Sequence, residues 1–100
     1  MIGPQPSGHW TANLPSKDFE HLVVGERYRV SRPFDDYDQH THEMGEDWTF
    51  LGSSFAPHDD GLSLFVSLDD ANEWQIRLQW RSDEQGPIID SLAAYIVADG

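Results

Sequence analysis

A two-residue rhythm between Arg27 and Arg81 constrains this chain more than any other feature of its sequence. Side chains of an extended strand alternate between two faces, so apolar residues at every second position mark a strand with one face in a core. Four segments carry that pattern. Tyr28 and Val30 alternate with Arg27 and Arg29, and Trp48 and Phe50 alternate with Asp47, Thr49 and Leu51. Leu62, Leu64, Val66 and Leu68 share a face opposite Ser63, Phe65 and Ser67. The last segment is the clearest, with Trp74, Ile76, Leu78 and Trp80 on one side and Glu73, Gln75, Arg77, Gln79 and Arg81 on the other. The breaks between them are chemically marked. Pro33 ends the first strand, and Gly52-Ser53-Ser54 reads as a bulge or bend. Asp59-Asp60-Gly61 and Asp69-Asp70-Ala71-Asn72 read as turns.

The ends of the chain follow other rules. Residues 1–15 are rich in Pro, Gly and Ser, lack a period, and read as a flexible arm in which Trp10 and Leu14 are the large apolar groups. Ser16-Lys17-Asp18-Phe19-Glu20 resembles a capping box, with Ser16 as N-cap and Phe19 and Leu22 on one helical face, and predicts a short helix. Gly86-Pro87 opens a second helix, expected to run to about Val97, with Ile88, Leu92, Tyr95 and Ile96 as its apolar stripe. Residues 16–100 are therefore read as one small domain, which is what a chain of 100 residues accommodates. The fold class is mainly β (α+β). Four strands with one apolar face each must cover that face. The expectation is a small curled antiparallel sheet, an SH3-like barrel, with the C-terminal helix over one end or face. A flat sheet with both helices on one side is the alternative.

Charge narrows the partners. Six basic against 18 acidic residues leave a net charge of −12. Nucleic acid binding needs a basic footprint, and an anionic membrane surface would repel this chain as well. A basic protein partner would be attracted. There are no cysteines, hence no disulfide framework, thiolate metal site or cysteine nucleophile. The first residues, Met1-Ile2-Gly3-Pro4-Gln5-Pro6, show no secretory signal, and no apolar run approaches the roughly 20 residues that span a bilayer. The expectation is a cytoplasmic monomer or homodimer.

Several segments resemble a small bacterial family known as a domain of unknown function. They are Leu22-Val23-Val24-Gly25, Tyr28-Arg29-Val30, Pro33-Phe34, Asp36-Tyr37-Asp38 and Gly45-Glu46. Trp48-Thr49-Phe50-Leu51-Gly52, Phe55, Pro57, Asp60-Gly61-Leu62, Leu64-Phe65 and Trp74-Gln75-Ile76-Arg77-Leu78-Gln79 continue the pattern. The resemblance covers about three-quarters of the chain and implies a fold and a bacterial origin. It implies no activity, cofactor or partner.

Two constellations can carry chemistry. The loop from Asp35 to Asp47 packs Asp36, Asp38, His40 and His42 close together, and these four are the candidate metal ligands. His58 and Asp59 would join them if the two loops met. As a calcium loop the segment fails, because the sixth position from Asp36 is Thr41 rather than Gly and the twelfth is Asp47 rather than Glu. The bland alternative is a solvated loop whose carboxylates cap turns. The second constellation is Arg27, Arg29, Arg77 and Arg81 with Phe65. These residues point to the outer sheet surface and would form a recognition stripe if their strands were neighbours. The competing reading is cross-strand pairing with Glu46, Asp47 and Glu73. No Gly-x-Ser-x-Gly elbow and no phosphate-binding Gly loop occurs, so nothing assigns an enzyme and no cofactor is expected. The leading functional expectation is a non-enzymatic acidic interaction module, of which an inhibitor or immunity-type protein for a basic partner is one form. A small metal- or ligand-binding domain built on loop 35–47 is the alternative.

Overall fold

The alternating segments form strands with the faces their parity demands. A computed structural model describes residues 1–13 and 17–99. Four strands, β2 (Arg27–Val30), β5 (Asp47–Ala56), β6 (Gly61–Ser67) and β7 (Asn72–Gln79), make an antiparallel meander. Tyr28, Val30, Trp48, Phe50, Leu62, Leu64, Val66, Ile76 and Leu78 are buried together, and Trp74 and Trp80 pack against them half-buried. Leu68 falls outside β6 and is exposed. The register of β5 against β6 shifts between Phe50 and Gly52, where Gly52 adopts φ 153°. The bulge expected at this glycine is present, and it bends the longest strand.

The sheet is open, so it is not the SH3-like barrel expected. Its order is β1-β7-β6-β5-β2-β8, with β1 (Ile2–Pro6) on the outside of β7 and β8 (Ile96–Ala98) on the outside of β2. Each end of the chain thus covers one edge of the meander, and curling is not needed to satisfy the edge N–H and C=O groups. The apolar face is instead covered by α1 (Gly86–Asp90), α2 (Leu92–Tyr95) and a small hairpin of β3 (Phe34–Asp35) with β4 (Thr41–His42). Ile89, Leu92 and Phe34 bring those elements into the core.

Both helical expectations change. The single C-terminal helix breaks at Ser91 (φ −127°, ψ 35°), and Ile96 and Val97, expected at its end, lie in strand β8. β8 bonds to β2 in the register Tyr28↔Ala98, Arg29↔Val97 and Val30↔Ile96. The demand of an uncovered edge outweighs the helical spacing of Tyr95 and Ile96, and β-branched Ile96 and Val97 suit the strand. In the N-terminal helix expected from Ser16, the N-cap itself lies outside the described residues. The described residues 17–24 form no helix. Phe19 and Leu22 exchange backbone bonds of 3.0 and 2.7 Å across a turn in which Glu20 adopts φ 51°, and Lys17 bridges to Ser53. This turn is tied down by buried Tyr28, whose hydroxyl accepts from Val23 N at 2.7 Å and donates to His21 O at 3.1 Å.

The segment read as a flexible arm also has fixed partners. After β1, residues 7–12 fold back over the outer face of the sheet, where Trp10 stacks on Phe65 with ring centroids 5.8 Å apart. Buried Glu73 holds this turn. Its carboxylate accepts from the N–H groups of Gly8 (2.7 Å), Trp10 (3.0 Å) and Thr11 (3.3 Å) and from the Thr11 hydroxyl (2.5 Å). Burial works against ionisation of Glu73, but the Thr11 hydroxyl and the three N–H groups outweigh it. The carboxyl is held below its ordinary range.

Candidate functional site

The acidic loop is a built structure around one carboxylate. Asp36 follows β3 and is buried. Its Oδ1 accepts from the N–H groups of Asp38 (2.9 Å) and His40 (3.0 Å), which coils the loop back on itself, with Gln39 at φ 63°. Its Oδ2 meets His42 Nε2 at 2.8 Å and the Met1 ammonium at 2.6 Å. Burial opposes ionisation here too, but the ammonium, the imidazole and the His40 N–H prevail and lower the Asp36 pKa.

His42, on β4, has no exposed surface. Phe34 stacks on its ring at 4.7 Å and 18°, and its Nδ1 lies 2.6 Å from Glu46 Oε2. That same oxygen accepts from Trp48 Nε1 at 3.2 Å. The imidazole is therefore clamped between two carboxylates. His40 is exposed, with its ring 4.9 Å from that of His42. His40, His42 and Glu46 bring one donor atom each within 4.8 Å of one another.

Of the four metal candidates, then, His40 and His42 come together and Asp36 supports His42 from behind. Asp38 turns away: it forms a two-pronged pair with Arg77, whose Nε donates to Asp38 Oδ2 at 3.0 Å. That guanidinium lowers the Asp38 pKa and is itself raised by the pairing. His58 and Asp59 stay on the β5–β6 turn, outside the His40–His42–Glu46 group. Glu46 was not among the sequence candidates. Its parity with Trp48 and Phe50 is the signal that places it inward.

The proposed arginine stripe does not assemble. Arg27 and Arg29 lie on β2, while Arg77 and Arg81 lie on or just after β7, with β5 and β6 between those strands. Each has an acidic neighbour: Arg27 with Asp47 (3.5 Å), Arg29 with Asp99 (4.0 Å), Arg77 with Asp38 and Arg81 with Asp60 (3.3 Å). Arg32 lies over the Tyr95 ring, 4.9 Å from its centroid. Phe65, the expected apolar anchor, is buried beneath Trp10.

A different exposed surface forms at the end of the sheet where the β5–β6 turn meets the β7–α1 connection. Trp80 contacts Phe19 edge-on at 5.9 Å and Phe55 edge-on at 5.7 Å, and its Nε1 donates to Asp90 at 2.9 Å. Phe55 is 43% exposed. A cavity of about 380 Å³ beside these rings is lined by Lys17, Asp18, Phe19, Ser53, Ser54, Phe55 and Leu62. Asp18 and Lys17 stand in its wall. Asp59 and Asp60 sit on the adjoining turn, Arg81 ties that turn to β7, and the segment following Arg81 carries exposed Asp83 and Glu84.

Comparison with known proteins identifies the lineage. Residues 9–97 match the family described as Domain of unknown function (DUF3601). The chain belongs to that family. A solved structure with the DUF3601 chain's fold is the integron cassette protein VCH_CASS4 from the mobile metagenome of Vibrio cholerae. It is 36% identical, superimposes with a TM-score of 0.82, and the match covers 89% of this chain and 97% of that one. No protein with a curated description matches. Membership agrees with the resemblance read from the sequence, and the open, mainly antiparallel sheet is shared with the cassette protein. No helix among the described residues is long and apolar enough to cross a membrane.

Proposed function

We propose that this DUF3601 protein is a non-enzymatic, acidic interaction module that engages a basic protein partner through the Phe19–Phe55–Trp80 end. One observation carries the reading: a half-exposed aromatic cradle, centred on Trp80 and Phe55, has Asp90 bonded to the Trp80 indole, Asp60 joined to the Trp80 backbone and Asp18 lining the adjoining cavity. A lysine or arginine side chain suits such a surface. Its stem packs on the rings, its charge meets their faces and these carboxylates, and aromatic anchors concentrate binding energy. Arg81 pairs with Asp60 at this end, while Arg27, Arg29 and Arg77 are engaged with aspartates elsewhere on the molecule. The surplus of 12 negative charges would steer a basic partner in and fix its orientation. An inhibitor or immunity-type protein covering a basic toxin or nuclease is one form this takes. The likeness to a Vibrio cholerae cassette protein supports a bacterial setting, and a cytoplasmic site of action is part of the same reading.

The test is capture of partners by the immobilised protein from a bacterium that carries the gene, beside Phe55→Ala and Asp59→Asn/Asp60→Asn variants. A basic protein should be retained, released as salt rises over roughly tenfold, and bound at least about tenfold more weakly by each variant. Retention that is indifferent to salt and to both variants, or no retained basic protein, refutes the reading.

A further inference from the structure

We propose that His40, His42 and Glu46 form a binding site for a zinc-class divalent cation, with Asp36 as the residue that orients His42. The site shares no residue with the aromatic end and does not depend on the partner reading.

A carboxylate only accepts hydrogen bonds, so the 2.8 Å contact of His42 Nε2 with Asp36 Oδ2 puts a hydrogen on Nε2. The other ring nitrogen, Nδ1, lies 2.6 Å from Glu46 Oε2. The two atoms converge on one point, which a metal ion takes by displacing the hydrogen of this contact, as metal ligands bind deprotonated. A carboxylate on one imidazole nitrogen, with the other nitrogen turned toward a second ligand, is the arrangement in which an outer carboxylate fixes the tautomer and orientation of a metal-ligating histidine. The ring is further held by the Phe34 stack, and Glu46 by the Trp48 N–H. His42 and Glu46 are thus positioned before any ion arrives.

His40 completes the set from the solvent side. Its donor atom lies within 4.8 Å of the other two. Ligands at zinc–donor distances of about 2.0–2.2 Å stand roughly 3.4 Å apart in a tetrahedron. The His42–Glu46 separation must open slightly, and the exposed His40 side chain can swing in. Two imidazoles and one carboxylate are donors for zinc or its first-row neighbours. They are too few oxygens for calcium, which takes six to eight. Because His40 is exposed, a fourth position stays open to water.

Isothermal titration of the full chain with zinc chloride, calcium chloride serving as control, tests this. One zinc per chain should bind, raise the melting temperature, and leave calcium without effect. His40→Ala leaves the core untouched and should weaken zinc by more than about tenfold, with Glu46→Gln doing the same, and Asp36→Asn should weaken it by roughly 10–100-fold. Cobalt(II) should give the visible absorption of a four-coordinate site in the parent and lose it in His40→Ala. Absence of zinc binding overturns the proposal. So does zinc affinity that is unchanged in folded His40→Ala and Glu46→Gln, since a purely structural ion pair would give that result.

Discussion

Individual carboxylates do most of the specific work in this protein, and they do it by accepting several N–H bonds at once. Glu73 is the clearest case. On parity it belongs to the outer face of β7, where a charged side chain is ordinarily solvated. Here it is buried because the turn after β1 wraps its N–H groups around it. Removing one partner of a buried charged group leaves the others unsatisfied. Glu73→Ala should therefore cost about 2–4 kcal/mol in chemical denaturation. Glu73→Gln should cost less, because its amide oxygen still accepts. The pH dependence follows from the lowered carboxyl. Its stabilisation is complete above the ordinary glutamate value of about 4.3 and is lost as pH falls through the lower native value. Melting temperature should drop on acidification below about pH 4.5, and the drop should be smaller in Glu73→Gln. An equal drop in both proteins would show that Glu73 does not carry it.

At the scale of elements, the joint between β7 and α1 is the most tightly specified. The chain turns at Arg81 and returns so closely that a Cβ on Gly86 would lie 2.6 Å from Arg81 O. Gly86 N also donates to that oxygen at 2.9 Å. No side chain fits, and the obstacle is backbone, which cannot move aside. Gly86→Ala should destabilise the protein by about 1–3 kcal/mol and lower its melting temperature by several degrees. An unchanged melting temperature would show that α1 shifts freely. This joint also sets the aromatic end, since Trp80 precedes it and Asp90 on α1 receives the Trp80 indole N–H. The helix start at Gly86-Pro87 was legible in the sequence. The strand at Ile96–Ala98 was not, because what stops the helix at Tyr95 is the uncovered β2 edge, with which β8 pairs.

For the whole molecule, an open six-stranded sheet has a gradient of protection across it. β7, β6, β5 and β2 have strands on both sides, while β1 and β8 have one neighbour each. Amide hydrogen exchange should be slowest in β6 and the flanking parts of β5 and β7, and fastest in β1 and β8. Uniform protection, or protection greatest at β1 or β8, would contradict the open order and favour closure of the sheet. The same openness explains how a chain of 100 residues covers both sheet faces: helices and the β3–β4 hairpin on one, the turn at residues 7–12 on the other.

The sequence by itself determined the four-strand meander, the inward face of those four strands, the bulge at Gly52 and the acidic surplus. Each is a local property, set by the two-residue geometry of extended backbone or by simple addition of charges. Only the tertiary structure decided how the sheet edges are covered, that Phe65 lies beneath Trp10, that the arginines are divided between β2 and the β7 end, and that His42 sits between Asp36 and Glu46. Those outcomes depend on distant segments competing for the same unsatisfied N–H, C=O and carboxylate groups. No alternation within a single strand records which competitor wins.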